Sequence, residues 1–125
     1  MNPEIKRKWV SALRSGTYRQ GQGKLRLADN FCCLGVLCEI SAKGDWYQGK
    51  YLGEKNFLPK EVLNWSELRE HSPKVPAPVG DIRYREWMAT HGEQVTITAG
   101  KVDLAALNDM GFTFREIAEM IERSL

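Results

Sequence analysis

Apolar residues recur at helical spacing at the start of the chain. Positions three and four apart share one side of a helix, and that side is formed here by Ile5, Trp9, Ala12 and Leu13. Asn2 is placed to cap the helix, Pro3 suits its first turn, and Gly16 ends it. The pattern predicts an amphipathic helix whose apolar side packs into a core.

A second helical pattern lies near residue 125. Asp103 is placed to cap a short helix over LAALNDM, and Gly111 ends that helix. Thr113 and Glu116 have the spacing of a capping box, which predicts the start of another helix. The apolar stripe of this helix is formed by Phe114, Ile117, Ala118 and Ile121. The segment also resembles part of a helix-turn-helix, but its acidic character opposes contact with phosphate. We therefore expect a packed helical pair, with Glu116, Glu119 and Glu122 on a solvated face.

The patterns between these helices are shorter. Residues 24–28 alternate as a strand does, and aromatic residues around Gln48-Gly49 in 45–58 predict a hairpin. The apolar run at 31–42 fits either a buried strand or a buried helix. A helix from about 32 to 43 is favoured, with Asp29 or Asn30 near its start and Gly44 at its end.

The remaining segments complete the expected fold. Helices are predicted from Pro59 to about Leu68 and from Asp81 to Gly92, and a strand at 94–98. Residues 72–80 hold three prolines and predict a semi-extended loop. Together the patterns predict one compact α+β domain over residues 1–125, with about four or five helices around a small antiparallel sheet.

The composition is that of an ordinary globular protein. The chain has 125 residues, 42% hydrophobic and 27% charged, and no apolar run approaches the length of about 20 residues that spans a bilayer. The first ten residues lack the apolar centre of a secretory signal. Cys32, Cys33 and Cys38 have neither a disulfide framework nor zinc-ligand spacing, and His71 and His91 are isolated. We expect a cytoplasmic protein without membrane, metal or cofactor, whose cysteines fill the core.

Charge is distributed unevenly along the chain, although the net charge is only +2. Residues 1–28 carry seven cations against Glu4, whereas residues 102–125 carry five acids against Arg115 and Arg123. Such asymmetry steers an anion to one face of a protein. It also permits head-to-tail pairing into a homodimer.

The strongest candidate binding site is a basic loop with several glycines. Its cations are Arg14, Arg19, Lys24 and Arg26. Gly21 and Gly23 are expected to present backbone amides to an anion, and Tyr18 is placed to stack on a base. The amino terminus of the helix expected at 32–43 would add the positive end of its dipole. The same pattern is also typical of a solvated loop whose glycines serve turns.

Asn108 is a further candidate for contact with the ligand. It precedes Asp109 at the turn between the two helices expected near residue 125. Both residue types are common at such turns because they cap helix ends. A local capping role and a ligand contact therefore both explain this position.

Three segments resemble a group of small phage and prophage proteins. They are KWVSALRSGTYRQGQGKLR, FCCLGVLCEI and LNDMGFTFREIAEMIE, which cover the first forty residues and the last twenty or so. The resemblance implies a phage origin and supplies no activity. Small accessory proteins of phages often disable host defences, either by gripping a host protein or by sequestering a nucleotide signal.

The basic loop and this resemblance together predict an accessory binding protein that sequesters a phosphate-bearing nucleotide signal. No catalytic motif such as G-x-S-x-G, H-E-x-x-H or a P-loop is present, and binding is favoured over catalysis. Two alternatives stay open. One is inhibition of a host defence enzyme through the aromatic region 46–65 or the proline-rich segment 72–80. The other is binding of nucleic acid, which the small net charge does not favour.

Overall fold

A computed structural model describes residues 1–92 and 99–125, and the strand expected at 94–98 lies outside them. The described helices are α1 (Pro3–Arg14), α2 (Cys33–Ser41), α3 (Lys60–Ser66), α4 (Ile82–His91), α5 (Leu104–Asp109) and α6 (Phe114–Ser124). The described strands are β1 (Arg19–Gln20), β2 (Arg26–Leu27), β3 (Asn30–Phe31), β4 (Trp46–Tyr47), β5 (Lys50–Tyr51), β6 (Lys74–Pro76) and β7 (Lys101–Asp103). The α+β class is confirmed.

Capping residues fix the starts of α1 and α6. The side chain of Asn2 accepts hydrogen bonds from the Glu4 and Ile5 amides at the start of α1. Thr113 and Glu116 form the expected capping box at the start of α6. These two helices pack against each other. Beneath them, the indole of the fully buried Trp9 donates a 2.9 Å hydrogen bond to the carbonyl of Cys33, which ties α1 to α2.

The apolar run at 31–42 is a helix, and its bounds differ from those expected. Cys32 caps α2 in place of Asp29 or Asn30, because Asn30 is drawn into β3 and pairs with two other strands. Ala42 ends the helix in the left-handed region, with φ of 53°, so α2 stops before Gly44. Seven of its nine residues are buried, which makes α2 the central helix of the fold.

The strands form three short sheets among the described residues. β3 lies between β1, to which it is parallel, and β2, to which it is antiparallel. β4 and β5 form the expected hairpin around Gln48-Gly49, whose φ values of 51° and 77° suit a tight turn.

The sequence predicts a loop over residues 72–80, but part of this proline-rich segment forms a strand. Lys74–Pro76 pairs with Lys101–Asp103, and this places the buried Val75 opposite the buried Val102. The pairing partner lies far along the chain, and proline is tolerated at the edge of a sheet. No local pattern at 72–80 therefore reveals the strand.

The three cysteines are buried, as expected of residues that fill the core, and their thiols are free. Burial raises the pKa of the Cys32 thiol to about 11 and the pKa of the Cys38 thiol further above its ordinary value. None of these thiols is a ready nucleophile at neutral pH. In the described part of the chain, no helix is long and apolar enough to cross a bilayer.

Candidate anion-binding site

Four cations line one depression beside the β4–β5 hairpin. The depression has a volume of about 200 Å³. Its cations are Lys24, Arg26, Lys50 and Lys55. Leu27, Ala28, Gln48 and Gly49 complete the lining. We call this feature the cationic depression.

Backbone hydrogen bonds bring its parts together. The Leu25 amide donates to the Lys55 carbonyl over 2.7 Å, which places Lys55 beside both Lys24 and Arg26. The Leu25 carbonyl in turn accepts from the Cys32 amide over 3.1 Å. The chain at Leu25 is therefore held from both sides, on one side by the segment after the hairpin and on the other by the start of α2.

Glycine permits the close approach of α2 to this chain. A Cβ atom at Gly35 would lie 1.8 Å from the Leu25 carbonyl oxygen. On the opposite side, a Cβ atom at Gly49 would lie 3.6 Å from the Arg26 carbonyl oxygen, which is ordinary contact. The hairpin turn therefore packs directly against β2, and α2 supports β2 from behind.

Arg26 is held in place before any ligand arrives. Its Nε atom donates a 2.8 Å hydrogen bond to the Ala28 carbonyl. Its guanidinium carbon lies 5.0 Å from the ring centre of Phe31 and 5.5 Å from that of Trp46. A guanidinium fixed over aromatic rings loses little entropy when it binds an anion.

The electrostatics of the depression suit an anion. The described residues that line it include four cations and no acid. Arg26 forms an ion pair with Asp29, whose carboxylate lies 3.7 Å from the guanidinium and whose side chain is 91% exposed. Water screens such an exposed pair strongly, so most of the positive charge is left uncompensated.

The structure brings together two of the cations expected at the site, Lys24 and Arg26, and places the others elsewhere. Arg14 forms a 3.0 Å ion pair with Glu122 on α6, which lowers the pKa of Glu122. Arg19 is exposed on β1, and Tyr18 packs edge-on against Phe31 with ring centres 5.4 Å apart. The basic and acidic ends of the sequence thus meet within one molecule at Arg14 and Glu122.

The glycine amides of the loop are occupied by internal acceptors, contrary to the role expected for them. The Gly21 amide donates to the Phe31 carbonyl over 2.7 Å. The Gly23 amide donates to the Asp109 carboxylate over 2.8 Å. Both amides therefore hold the loop in shape, and the charge available to an anion comes from side chains.

The structure places Asn108, one of the predicted ligand contacts, in the interior of the protein. It is fully buried, and its amide oxygen accepts from Gln20 over 3.0 Å and from the Cys33 amide over 3.2 Å. Its amide nitrogen donates to the Gly21 carbonyl over 2.7 Å. Asn108 also occupies the first amide of α2, that of Cys33.

Asp109 completes this attachment of the loop to α5. Partial burial raises the pKa of its carboxyl group, and the hydrogen bond from the Gly23 amide acts in the opposite direction. Asn108 and Asp109 together hold residues 20–23 against the end of α5. We call this pair the α5 clasp; it fixes the loop directly before Lys24.

Sequence reasoning misses Lys50 and Lys55. A single lysine beside a hairpin is common and carries no signal of its own. The one available signal is the Gln48-Gly49 turn, which fixes the hairpin without showing which residues the hairpin packs on.

The described residues contain no group of three or more His, Cys, Asp or Glu side chains suited to bind a metal ion.

Fold and site together define a small α+β domain with a cationic depression between a three-stranded sheet and a hairpin. A family model described as a domain of unknown function, DUF8296, matches residues 1–125. The chain therefore belongs to this family. The comparisons with curated proteins and with solved structures give no match.

Proposed function

We propose that the protein binds a small phosphate-bearing anion in the cationic depression. One observation carries the proposal: three separate segments place Lys24, Arg26, Lys50 and Lys55 around one concave surface. Cations that converge from separate segments are a recurrent means of neutralising phosphate. A solvated basic loop does not by itself require Lys50 and Lys55 to join it.

The size of the depression limits what enters it. Its volume of about 200 Å³ lies below the range of roughly 300–1,000 Å³ typical of pockets that enclose a drug-sized ligand. We propose that a phosphate or pyrophosphate group occupies the depression while the rest of the ligand remains outside. Binding alone accounts for this arrangement, and no catalytic step is part of the proposal.

The resemblance to phage proteins supports a biological setting. We propose an accessory protein that acts in the cytoplasm of a bacterial host and sequesters a phosphate-bearing defence signal. The setting itself is tested by expression in a host with an active nucleotide-based defence, where protection of an infecting phage is the expected result.

The binding proposal is tested with pyrophosphate and the purified full chain by isothermal titration calorimetry at low salt. The test variant carries Lys24→Gln, Lys50→Gln and Lys55→Gln. An exposed charge-assisted contact contributes about 1 kcal/mol, which is about fivefold in affinity, and loss of three weakens binding about a hundredfold.

The control variant removes the same charge at Lys8, Lys60 and Lys101, which lie outside the cationic depression. We expect it to bind within about threefold of wild type, because only general electrostatic attraction is reduced. Equal loss of affinity in both triple variants would show that net charge, not this site, attracts the anion. Absence of binding to the wild-type protein would reject the proposal.

A further inference from the structure

Two exposed apolar side chains lie at or beside the cationic depression. Six large hydrophobic side chains are exposed among the described residues. Four of them lie between residues 27 and 57. Among these four, Leu27 is 59% exposed and Tyr47 is 74% exposed. Leu27 lines the depression itself, and Tyr47 directly precedes the Gln48-Gly49 turn that forms one of its walls.

Strand pairing places Tyr47 beside a cation of the depression. Tyr47 is the register partner of Lys50 across β4 and β5, and side chains of register partners project from the same face of a hairpin. The other pair, Trp46 and Tyr51, projects from the opposite face. Tyr51 is buried there and its ring centre lies 4.9 Å from that of Trp46.

Tyr47 therefore contributes little to the core. The alternation that buries Tyr51 turns Tyr47 outward, and nearly three quarters of its surface meets solvent. An exposed tyrosine ring next to a group of cations offers a flat apolar surface at the edge of an anion site. Aromatic rings in that position stack on nucleobases, since every base has a π-face.

We infer that the bound anion is a nucleoside phosphate whose base lies on Tyr47 and Leu27 while its phosphates occupy the cationic depression. The inference rests on the proposed function and names the ligand class of the same site. The depression is too small for a whole nucleotide, and the apolar surface that a base requires lies at its rim. Tyr47 thus takes the stacking role that the sequence assigns to Tyr18, which packs against Phe31 instead.

The test compares pyrophosphate with ADP on the full chain, by calorimetry under the same conditions. Loss of one stacking contact weakens binding by about 5- to 20-fold at an exposed site. We expect ADP to bind wild type at least about tenfold more tightly than pyrophosphate. Tyr47→Ala should remove that advantage and leave pyrophosphate affinity unchanged, whereas Tyr47→Phe should retain it.

Phe57→Ala is the matched control, because Phe57 is also an exposed aromatic residue but lines a different depression, beside His71 and Asp103. It should leave both affinities unchanged. Equal affinities of wild type for ADP and pyrophosphate would overturn the inference while the proposed function stands. Tighter binding of single-stranded oligothymidylate than of ADP would overturn it in favour of nucleic acid. If neither ADP nor pyrophosphate binds, both the inference and the proposed function are wrong.

Discussion

Replacing Gly35 with alanine perturbs the contact that holds α2 against β2. The added Cβ atom would lie 1.8 Å from the Leu25 carbonyl oxygen and 2.7 Å from the Leu25 carbonyl carbon. Both are backbone atoms, so no flexible side chain can move aside. Leu25 is also fixed by hydrogen bonds to Lys55 and Cys32, and the helix cannot shift without weakening them.

The expected loss of stability combines two costs and one gain. Overpacking a core costs about 1–3 kcal/mol, and the backbone clash at Leu25 places this site at the upper end. Each weakened hydrogen bond costs about 1 kcal/mol more. Alanine favours the helix over glycine by about 1 kcal/mol, which offsets part of the loss. We expect Gly35→Ala to lower the free energy of unfolding by about 2–4 kcal/mol.

Urea denaturation followed by circular dichroism measures this loss, and Gly92→Ala is its control. A Cβ atom at Gly92 would lie 3.6 Å from the Met88 side chain, and the φ of Gly92 is −56°, which any residue adopts. That variant should be as stable as wild type. If Gly35→Ala proved equally stable, the close approach of α2 to Leu25, on which the geometry of the cationic depression depends, would be refuted.

Three further predictions concern contacts that fix the loop and α6. Two hydrogen bonds from Arg83 to Glu116, 2.8 and 2.7 Å long, hold the pKa of Glu116 at about 2, below its ordinary 4.5. A depressed folded-state pKa stabilises the fold above pH 4.5, and this contribution is lost as the pH falls toward 2. Both side chains are about one-third exposed, so Arg83→Gln should cost only about 1 kcal/mol at pH 7 in urea denaturation, and less than half of that at pH 3. Asp109→Asn keeps an acceptor for the Gly23 amide and should match wild type in thermal denaturation, whereas Asp109→Ala should lose about 1 kcal/mol. Asn108→Ala leaves several buried polar groups unpaired and should cost about 3 kcal/mol in urea denaturation; a loss below about 1 kcal/mol would contradict the clasp.

The parts of the fold that the sequence predicts are those with local signals. Asn2 before Pro3 marks the start of α1, and the Thr113 capping box marks the start of α6. Gln48-Gly49 marks the turn of the hairpin, because glycine readily adopts the positive φ that a two-residue hairpin turn requires. Each of these signals lies within four residues of the structure that it specifies.

The parts that the sequence misses depend on distant partners. The β6 strand forms because Lys74–Pro76 pairs with Lys101–Asp103, and no pattern within 72–80 predicts that pairing. Asn108 is buried because its side chain satisfies Gln20, Gly21 and the start of α2 at once. From the sequence alone, the same asparagine at a helix turn is equally typical of an exposed cap.

The sequence likewise predicts only part of the candidate site. Lys24 and Arg26 belong to a basic loop that is visible in the sequence, and they do line the cationic depression. Lys50 joins them only because the hairpin turn packs against β2 at Gly49, and Lys55 only because its carbonyl accepts from the Leu25 amide. Arg14 lies apart from these cations because α1 packs on α6, where Arg14 forms an ion pair with Glu122. Tertiary packing therefore selects which cations form the site.

The most direct test of the proposed anion site is a two-dimensional NMR titration of the ¹⁵N-labelled protein with pyrophosphate. The account predicts that the largest amide shift changes fall in 24–28, in Gln48 to Lys50 and at Lys55, the three segments that line the cationic depression. Amides along α1 and at Arg14 should move little, because the cations there lie outside the depression. Changes centred on α1, or spread evenly over all basic surfaces, would contradict the account.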